Sequence, residues 1–314
     1  MNLILQLILL VLGFTMLVKG ADWFVEGASG LAEKFGIPQL VIGLTIVAMG
    51  TSMPEAAVSI AAALKGSADI TIGNVLGSNI LNVFLILGLT SVVTKVAVGE
   101  STIKYEIPFV ILITVIMMIL GNTDGEIAFA EGVSLWILFL GYLAYLLKMA
   151  LDNKTGGSEE EAPEEEKPLW KLLVGIVVGA ACIVLGSDIS VDAASEIARM
   201  FGLSERMIGL TIVAFGTSLP ELVTSVAAAT KGKADIAIGN IVGSNIFNIL
   251  FVVGTTALVT PVAYASNFII DSIVSAVSCC LLWLFVSKKK HLDRKDGIMF
   301  LVGYAVYFVY LLIG

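Results

Sequence analysis

Apolar positions dominate this chain in long continuous runs, each close to 20 residues, separated by short polar or glycine-containing breaks. Runs of that length without strand-like alternation predict membrane-spanning helices, and they argue against a transmembrane β-barrel. The pattern predicts about ten spans, roughly over 3–23, 40–63, 70–93, 104–121, 127–148, 170–189, 206–229, 236–259, 265–286 and 296–313. The expected fold is an all-α membrane protein of about ten transmembrane helices.

The runs are not independent of one another. Residues 36–88 recur as residues 202–254 without a gap, and 31 of the 53 aligned positions are identical. That is far more than shared apolar composition produces. The match reaches upstream, where GADWFVEGAS (20–29) aligns with GSDISVDAAS (186–195) at the same spacing. The chain therefore divides into two five-helix repeats, 1–150 and 169–314, joined by 151–168. Five is odd, so the second repeat must cross the membrane in the opposite sense to the first. Duplicated, Gly/Pro-interrupted apolar segments in inverted halves point to a transporter site near the bilayer midplane.

Composition narrows the class. Hydrophobic residues make up 58% and charged residues 14% of the chain, where soluble domains carry about 25% charged residues. The net charge of −8 argues against a nucleic-acid partner. Much of the acid lies in the joining segment DNKTGGSEEEAPEEEKP (152–168), which reads as a solvated inner linker. The N-terminal run lacks a basic leader and a small-residue cleavage site and reads as a first span. Cys182, Cys279 and Cys280 form no metal or redox spacing and read as packing residues. Basic residues concentrate in alternate loops, above all Lys288, Lys289, Lys290, Arg294 and Lys295. This places those loops in the cytoplasm and both termini outside. The expected location is the cell membrane, with the lipid bilayer as the environment and no obligatory protein partner.

The chemistry lies in the repeated core. In GTSMPE (50–55) and GTSLPE (216–221), proline lacks an N–H and clashes with the carbonyl four residues back. Pro54 and Pro220 thus free the carbonyls of Gly50 and Gly216. Thr51, Ser52 and Glu55, with Thr217, Ser218 and Glu221, surround the breaks. In GNVLGSNILN (73–82) and GNIVGSNIFN (239–248), Ser78 and Asn82, like Ser244 and Asn248, share one helix face. Every donor atom here is a hard oxygen, which suits Ca²⁺ or Na⁺ and not softer metals. An ionised carboxylate at a helix centre costs roughly 2.5–3.5 kcal/mol, and two that face each other also repel. One Ca²⁺, or Na⁺ in competition, would neutralise both. Asn74, Asn79, Asn240 and Asn245 read as packing residues. Asp22 with Glu26, and Asp188 with Asp192, read as interfacial residues at span ends. His291 reads as solvated.

At these two motif pairs the chain resembles the cation/calcium exchanger superfamily, in its prokaryotic sodium/calcium exchanger branch. The resemblance covers essentially the whole chain. It implies that Glu55 and Glu221 are the central cation ligands, joined by Thr51, Ser52, Thr217 and Ser218. It further implies that the backbone carbonyls of Ala48 and Ala214, together with Ser78, Asn82, Ser244 and Asn248, complete the Na⁺ sites. No cofactor is expected; Ca²⁺ and Na⁺ are the transported ions. The implied activity is not enzymatic. It is electrogenic antiport of Na⁺ against Ca²⁺ by alternating access, with the first and sixth spans sliding over a fixed core. Asparagine at both 82 and 248, where potassium-dependent relatives carry Asp at the second position, speaks against K⁺ co-transport. GTSxPE in both copies favours Na⁺ over H⁺ coupling; a Ca²⁺/H⁺ antiporter using the same glutamates is the alternative.

Overall fold

The computed structural model describes residues 3–65, 68–155, 168–202 and 214–313. The helices are α1 (Leu3–Phe35), α2 (Gln39–Thr51), α3 (Met53–Leu64), α4 (Ile70–Val93), α5 (Thr102–Asp124), α6 (Phe129–Asp152) and α7 (Leu169–Met200). They continue as α8 (Ala214–Gly216) and α9 (Leu219–Thr230), then α10 (Ala234–Val259), α11 (Phe268–Lys289) and α12 (Arg294–Leu312). Eight are long and apolar enough to span a membrane, and α2 with α3 forms a ninth span bent by 48°. The tenth expected span, 206–229, is represented by α8 and α9; residues 206–213 lie outside the described residues, as does most of the acidic linker.

The bend in the second span follows from its sequence. Pro54 is the second residue of α3, where its missing N–H costs nothing because the first turn has no intrahelical acceptor. Ser52 is the pivot, at ψ 6°, and α3 restarts on a new axis. α9 begins the same way on Ser218 and Pro220.

Equivalent helices of the two halves run in opposite directions. α1 touches α7 with Gly13 against Gly186, Gly20 against Gly179 and Gly27 against Leu172, so one chain rises as the other descends. A Cβ at Gly20 would stand 2.8 Å from the Gly179 carbonyl oxygen, and one at Gly186 would stand 2.8 Å from that of Gly13. Only glycine permits such backbone contact. α4 and α10 form the centre, with 78% and 94% of their most apolar stretch buried, against 22–33% for the other long spans. The outer helices cross between halves: α6 packs on α10, α12 on α4, and α5 on α11.

Four two-residue strands were not anticipated. β1 (Val96–Ala97) pairs with β4 (His291–Leu292), and β2 (Glu126–Ile127) pairs with β3 (Val262–Ala263). Each ribbon joins one repeat to the other. His291 is therefore half-buried in a strand, with Nδ1 donating to the Lys289 carbonyl at 2.7 Å, and is not simply solvated.

The first and sixth spans are longer than hydropathy indicated, 33 and 32 residues. Asp22 and Glu26 consequently sit inside a continuous helix and not at its end. Lys231, in the turn after α9, reaches Asp22 Oδ1 at 2.8 Å and Glu26 Oε1 at 3.3 Å. One lysine of the other repeat thus pairs with both of these α1 carboxylates.

Candidate functional site

The two broken spans meet at the molecular centre. Glu55 lies in the first turn of α3 and Glu221 in the first turn of α9, each only 1% exposed. A helix N-terminus favours negative charge, so each new helix supports its own carboxylate. The serine before each proline serves the opposite half. Ser52 donates its hydroxyl to Glu221 Oε1 at 2.7 Å, and Ser218 donates to Glu55 Oε1 at 3.4 Å. Ser218 also bonds Ser78 at 3.5 Å. Each carboxylate lies within range of the other's charge, and among the described residues neither is paired with Lys or Arg. Their second oxygens, Glu55 Oε2 and Glu221 Oε2, are buried without a hydrogen-bond partner among the described residues.

Asparagines brace the breaks. Asn240 Nδ2 donates to the Glu221 carbonyl oxygen at 3.4 Å and to Ser225 Oγ at 2.9 Å. Asn74 repeats this on the Glu55 carbonyl at 3.2 Å and Ser59 Oγ at 2.9 Å. The carbonyl freed by Pro220 is accounted for, because Ser187 on α7 donates its hydroxyl to Gly216 O at 2.7 Å. The equivalent of Ser187 in the first repeat is Ala21, which has no hydroxyl.

A second layer joins α4 to α10. Asn79 Nδ2 bonds the Asn245 carbonyl at 3.2 Å, and Asn245 Nδ2 bonds the Asn79 carbonyl at 3.4 Å. Asn82 Nδ2 donates to Asn245 Oδ1 at 2.9 Å, and Asn248 Nδ2 donates to Asn79 Oδ1 at 3.1 Å. Asn82 and Asn248 each open a π-helical turn, Asn82–Leu87 and Asn248–Val253; such turns gather at functional sites. Their side-chain oxygens, Asn82 Oδ1 and Asn248 Oδ1, are buried and have no partner among the described residues. Asn74, Asn79, Asn240 and Asn245 are thus hydrogen-bonded members of the polar centre and not merely packing residues. The recurrence of Gly-Ser-Asn marks Asn79 and Asn245, since an amide at that depth needs partners for both ends, but it does not say which partners those are.

The remaining expected residues fall into place unevenly. Ala48 O accepts the Ser52 N–H at 3.0 Å and the Ser244 hydroxyl at 3.4 Å, with Thr51 Oγ1 3.3 Å away. Ala214 opens α8, next to residues outside the described set. Thr51 is buried and donates to Asn240 Oδ1 at 2.9 Å. Thr217, its repeat equivalent, is half-buried and bonds none of the described residues. The same one-sidedness appears further out. Lys231 holds Asp22 and Glu26, whereas its equivalent, Lys65, pairs with neither Asp188 nor Asp192. Asn240 is sealed from solvent while Asn74 is half-buried. One face of the site is closed and the other is looser.

Comparison with known proteins places this geometry. The family described as "Sodium/calcium exchanger protein" matches residues 5–148 and 171–313. The chain belongs to the sodium/calcium exchanger family. Among exchanger relatives, the sodium/calcium exchanger MaX1 of Methanosarcina acetivorans is 32% identical over 343 residues, covering 97% of each chain. The inner membrane protein YrbG of Escherichia coli is 36% identical over 318 residues, covering 97% of this chain and 96% of its own. The solved sodium-calcium exchanger NCX_Mj, soaked with zero Na⁺ and Ca²⁺, has a TM-score of 0.85 and 33% identity over 99% of this chain and 100% of its own. This exchanger is a multi-pass membrane transporter and not an enzyme.

Proposed function

We propose that the protein exchanges Na⁺ for Ca²⁺ across a cell membrane by alternating access to one shared site, as electrogenic Ca²⁺ extrusion. One observation carries this reading. Among the described residues, twelve buried side-chain oxygens lack a hydrogen-bond partner, and the ones that recur at repeat-related positions are Glu55 Oε2 with Glu221 Oε2 and Asn82 Oδ1 with Asn248 Oδ1. A buried polar atom without a partner is costly, and the recurrence of these four where the two broken spans meet is what a bound cation would account for. Two carboxylate and two amide oxygens are hard ligands that match Ca²⁺ in charge and Na⁺ in type. Because Glu55 and Glu221 are common to both ions, occupancy by one excludes the other, which is what obligatory exchange needs.

The remaining ligands are Thr51, Ser52, Ser78, Thr217, Ser218 and Ser244, with the backbone oxygens of Ala48 and Ala214. Ala48 O already accepts the Ser52 N–H and the Ser244 hydroxyl, so a Na⁺ arriving there turns that hydroxyl aside. The closed and loose faces are the asymmetry an alternating transporter holds at any instant, and the glycine seam lets α1 and α7 move as one body. The family relationship to MaX1 and NCX_Mj supports Na⁺ and Ca²⁺ as the ions. The basic-residue count puts both termini outside and the linker 151–168 inside.

The test is flux in proteoliposomes. An outward Na⁺ gradient is expected to drive uptake of radiolabelled Ca²⁺ with the pH gradient collapsed. Uptake driven by a pH gradient and indifferent to Na⁺ would replace this reading with Ca²⁺/H⁺ antiport through the same two glutamates.

A further inference from the structure

Asn82 and Asn248 matter to a cation only if their amides present oxygen and not NH₂. An amide side chain is nearly symmetric in shape, so something must choose between its two orientations. We propose that Asn79 and Asn245 make that choice: they are positioning residues that lock the two site amides, across the repeats, with Oδ1 free for the ion. The identity of the ion rests on the exchange reading above; the locking does not.

The argument starts from groups with no freedom. A backbone carbonyl oxygen only accepts hydrogen bonds. The Asn79 carbonyl therefore forces Asn245 to present Nδ2 to it, at 3.4 Å. That fixes Asn245 Oδ1 at the other end of the amide, and Oδ1 also only accepts. Asn82 must then offer Nδ2, which it does at 2.9 Å, leaving Asn82 Oδ1 as the free end, buried and without a partner. The mirror chain runs from the Asn245 carbonyl to Asn79 Nδ2 at 3.2 Å, then from Asn248 Nδ2 to Asn79 Oδ1 at 3.1 Å, and ends on the unpartnered Asn248 Oδ1. Turning either site amide over would set oxygen against oxygen inside α4 and α10. Asn79 and Asn245 each turn Oδ1 to the amide of a site asparagine. They act on the cation only through Asn82 and Asn248.

The wiring is crossed, and that makes it testable. Asn245 controls Asn82, and Asn79 controls Asn248. Calorimetric titration of the purified protein with Ca²⁺, and separately with Na⁺, gives the affinities. Asn245→Ala is expected to weaken binding about tenfold, the lower end of what losing a ligand's orienting partner costs. Added to Asn82→Ala it should change little, since its target is gone; added to Asn248→Ala it should cost its full factor. Asn79→Ala should show the reverse preference. If the alanine variants do not purify as folded protein, Asn245→Ser and Asn79→Ser carry the same cycle, because a hydroxyl is too short and rotates freely. Equal added losses in both backgrounds, or wild-type affinity in the single variants, would overturn the proposal and leave a packing role. Wild-type protein that binds neither cation would end both this proposal and the exchange reading. Wild-type protein that binds Ca²⁺ but shows no Na⁺-driven flux would end the exchange reading alone.

Discussion

At the scale of single residues, the centre of this exchanger is defined by what is left unsatisfied. Each glutamate has one oxygen held by a serine of the other repeat and one held by nothing. Replacing a carboxylate by an amide keeps the shape but removes charge and puts NH₂ where an ion must bind. Glu55→Gln and Glu221→Gln are each expected to reduce Ca²⁺ flux to the level of empty liposomes, with an unchanged gel-filtration profile; wild-type flux in either variant would remove it from the site. These two residues were legible in the sequence because packing has no use for an unneutralised midspan acid. The bracing asparagines were not. Asn79 and Asn245 reveal their role only through bonds to residues 163 to 169 positions away, and one-dimensional spacing carries no trace of which amide end meets which. Lys231 with Asp22 and Glu26 was hidden for the same reason.

At the scale of elements, proline placement made the two breaks readable, since a missing N–H acts locally. Helix ends were less readable. Hydropathy falls off where α1 and α7 acquire polar residues, but the helices continue to Phe35 and Met200; in α1, Asp22 and Glu26 are met by Lys231. α12 shows how a short polar turn fixes such an end. Asp293 accepts the backbone N–H groups of Lys295 at 2.8 Å and Asp296 at 3.2 Å, and Asp296 Oδ2 accepts the Asp293 N–H at 3.0 Å. This is a reciprocal cap of the kind that starts helices. The Asp296 N–H first, then that of Lys295 and the Lys289 ammonium, hold the Asp293 carboxyl below the usual range. A carboxyl lowered by folding stabilises the protein above its unfolded pKa and loses that contribution as pH falls through its folded value. Asp293→Ala should therefore lower the melting temperature at neutral pH, and the difference from wild type should close below about pH 4. A gap that persists in acid would mean the carboxylate is not what caps α12.

For the whole molecule, the informative feature is unequal use of equal parts. The repeats supply Lys231 and Lys65 at equivalent positions, yet only Lys231 is engaged with its acids on a long helix. On the exchange reading, the unengaged pair closes when the α1–α7 body slides the other way. Lys231→Gln is then expected to shift the balance away from the present state, and Lys65→Gln toward it. Partly exposed ion pairs are worth up to about 1 kcal/mol, so each shift should be at most about fivefold in population. Spin labels at exposed Val18 of α1 and Thr230 of α9 would report it as a change in the weights of two distances. Shifts of the same sign from both variants would show that the lysines are not opposed. The inverted pairing of the two halves was readable from the repeat, whereas which end is shut depends on bonds that equal sequences leave undecided.

The exchange of serines between halves carries one last consequence. A polypeptide holding a single repeat would own an acid deprived of its hydroxyl donor and an amide deprived of its lock. It could recover both only from a sister molecule threaded through the bilayer upside down. Joining the two in one chain turns a chance encounter between opposed orientations into a certainty of synthesis.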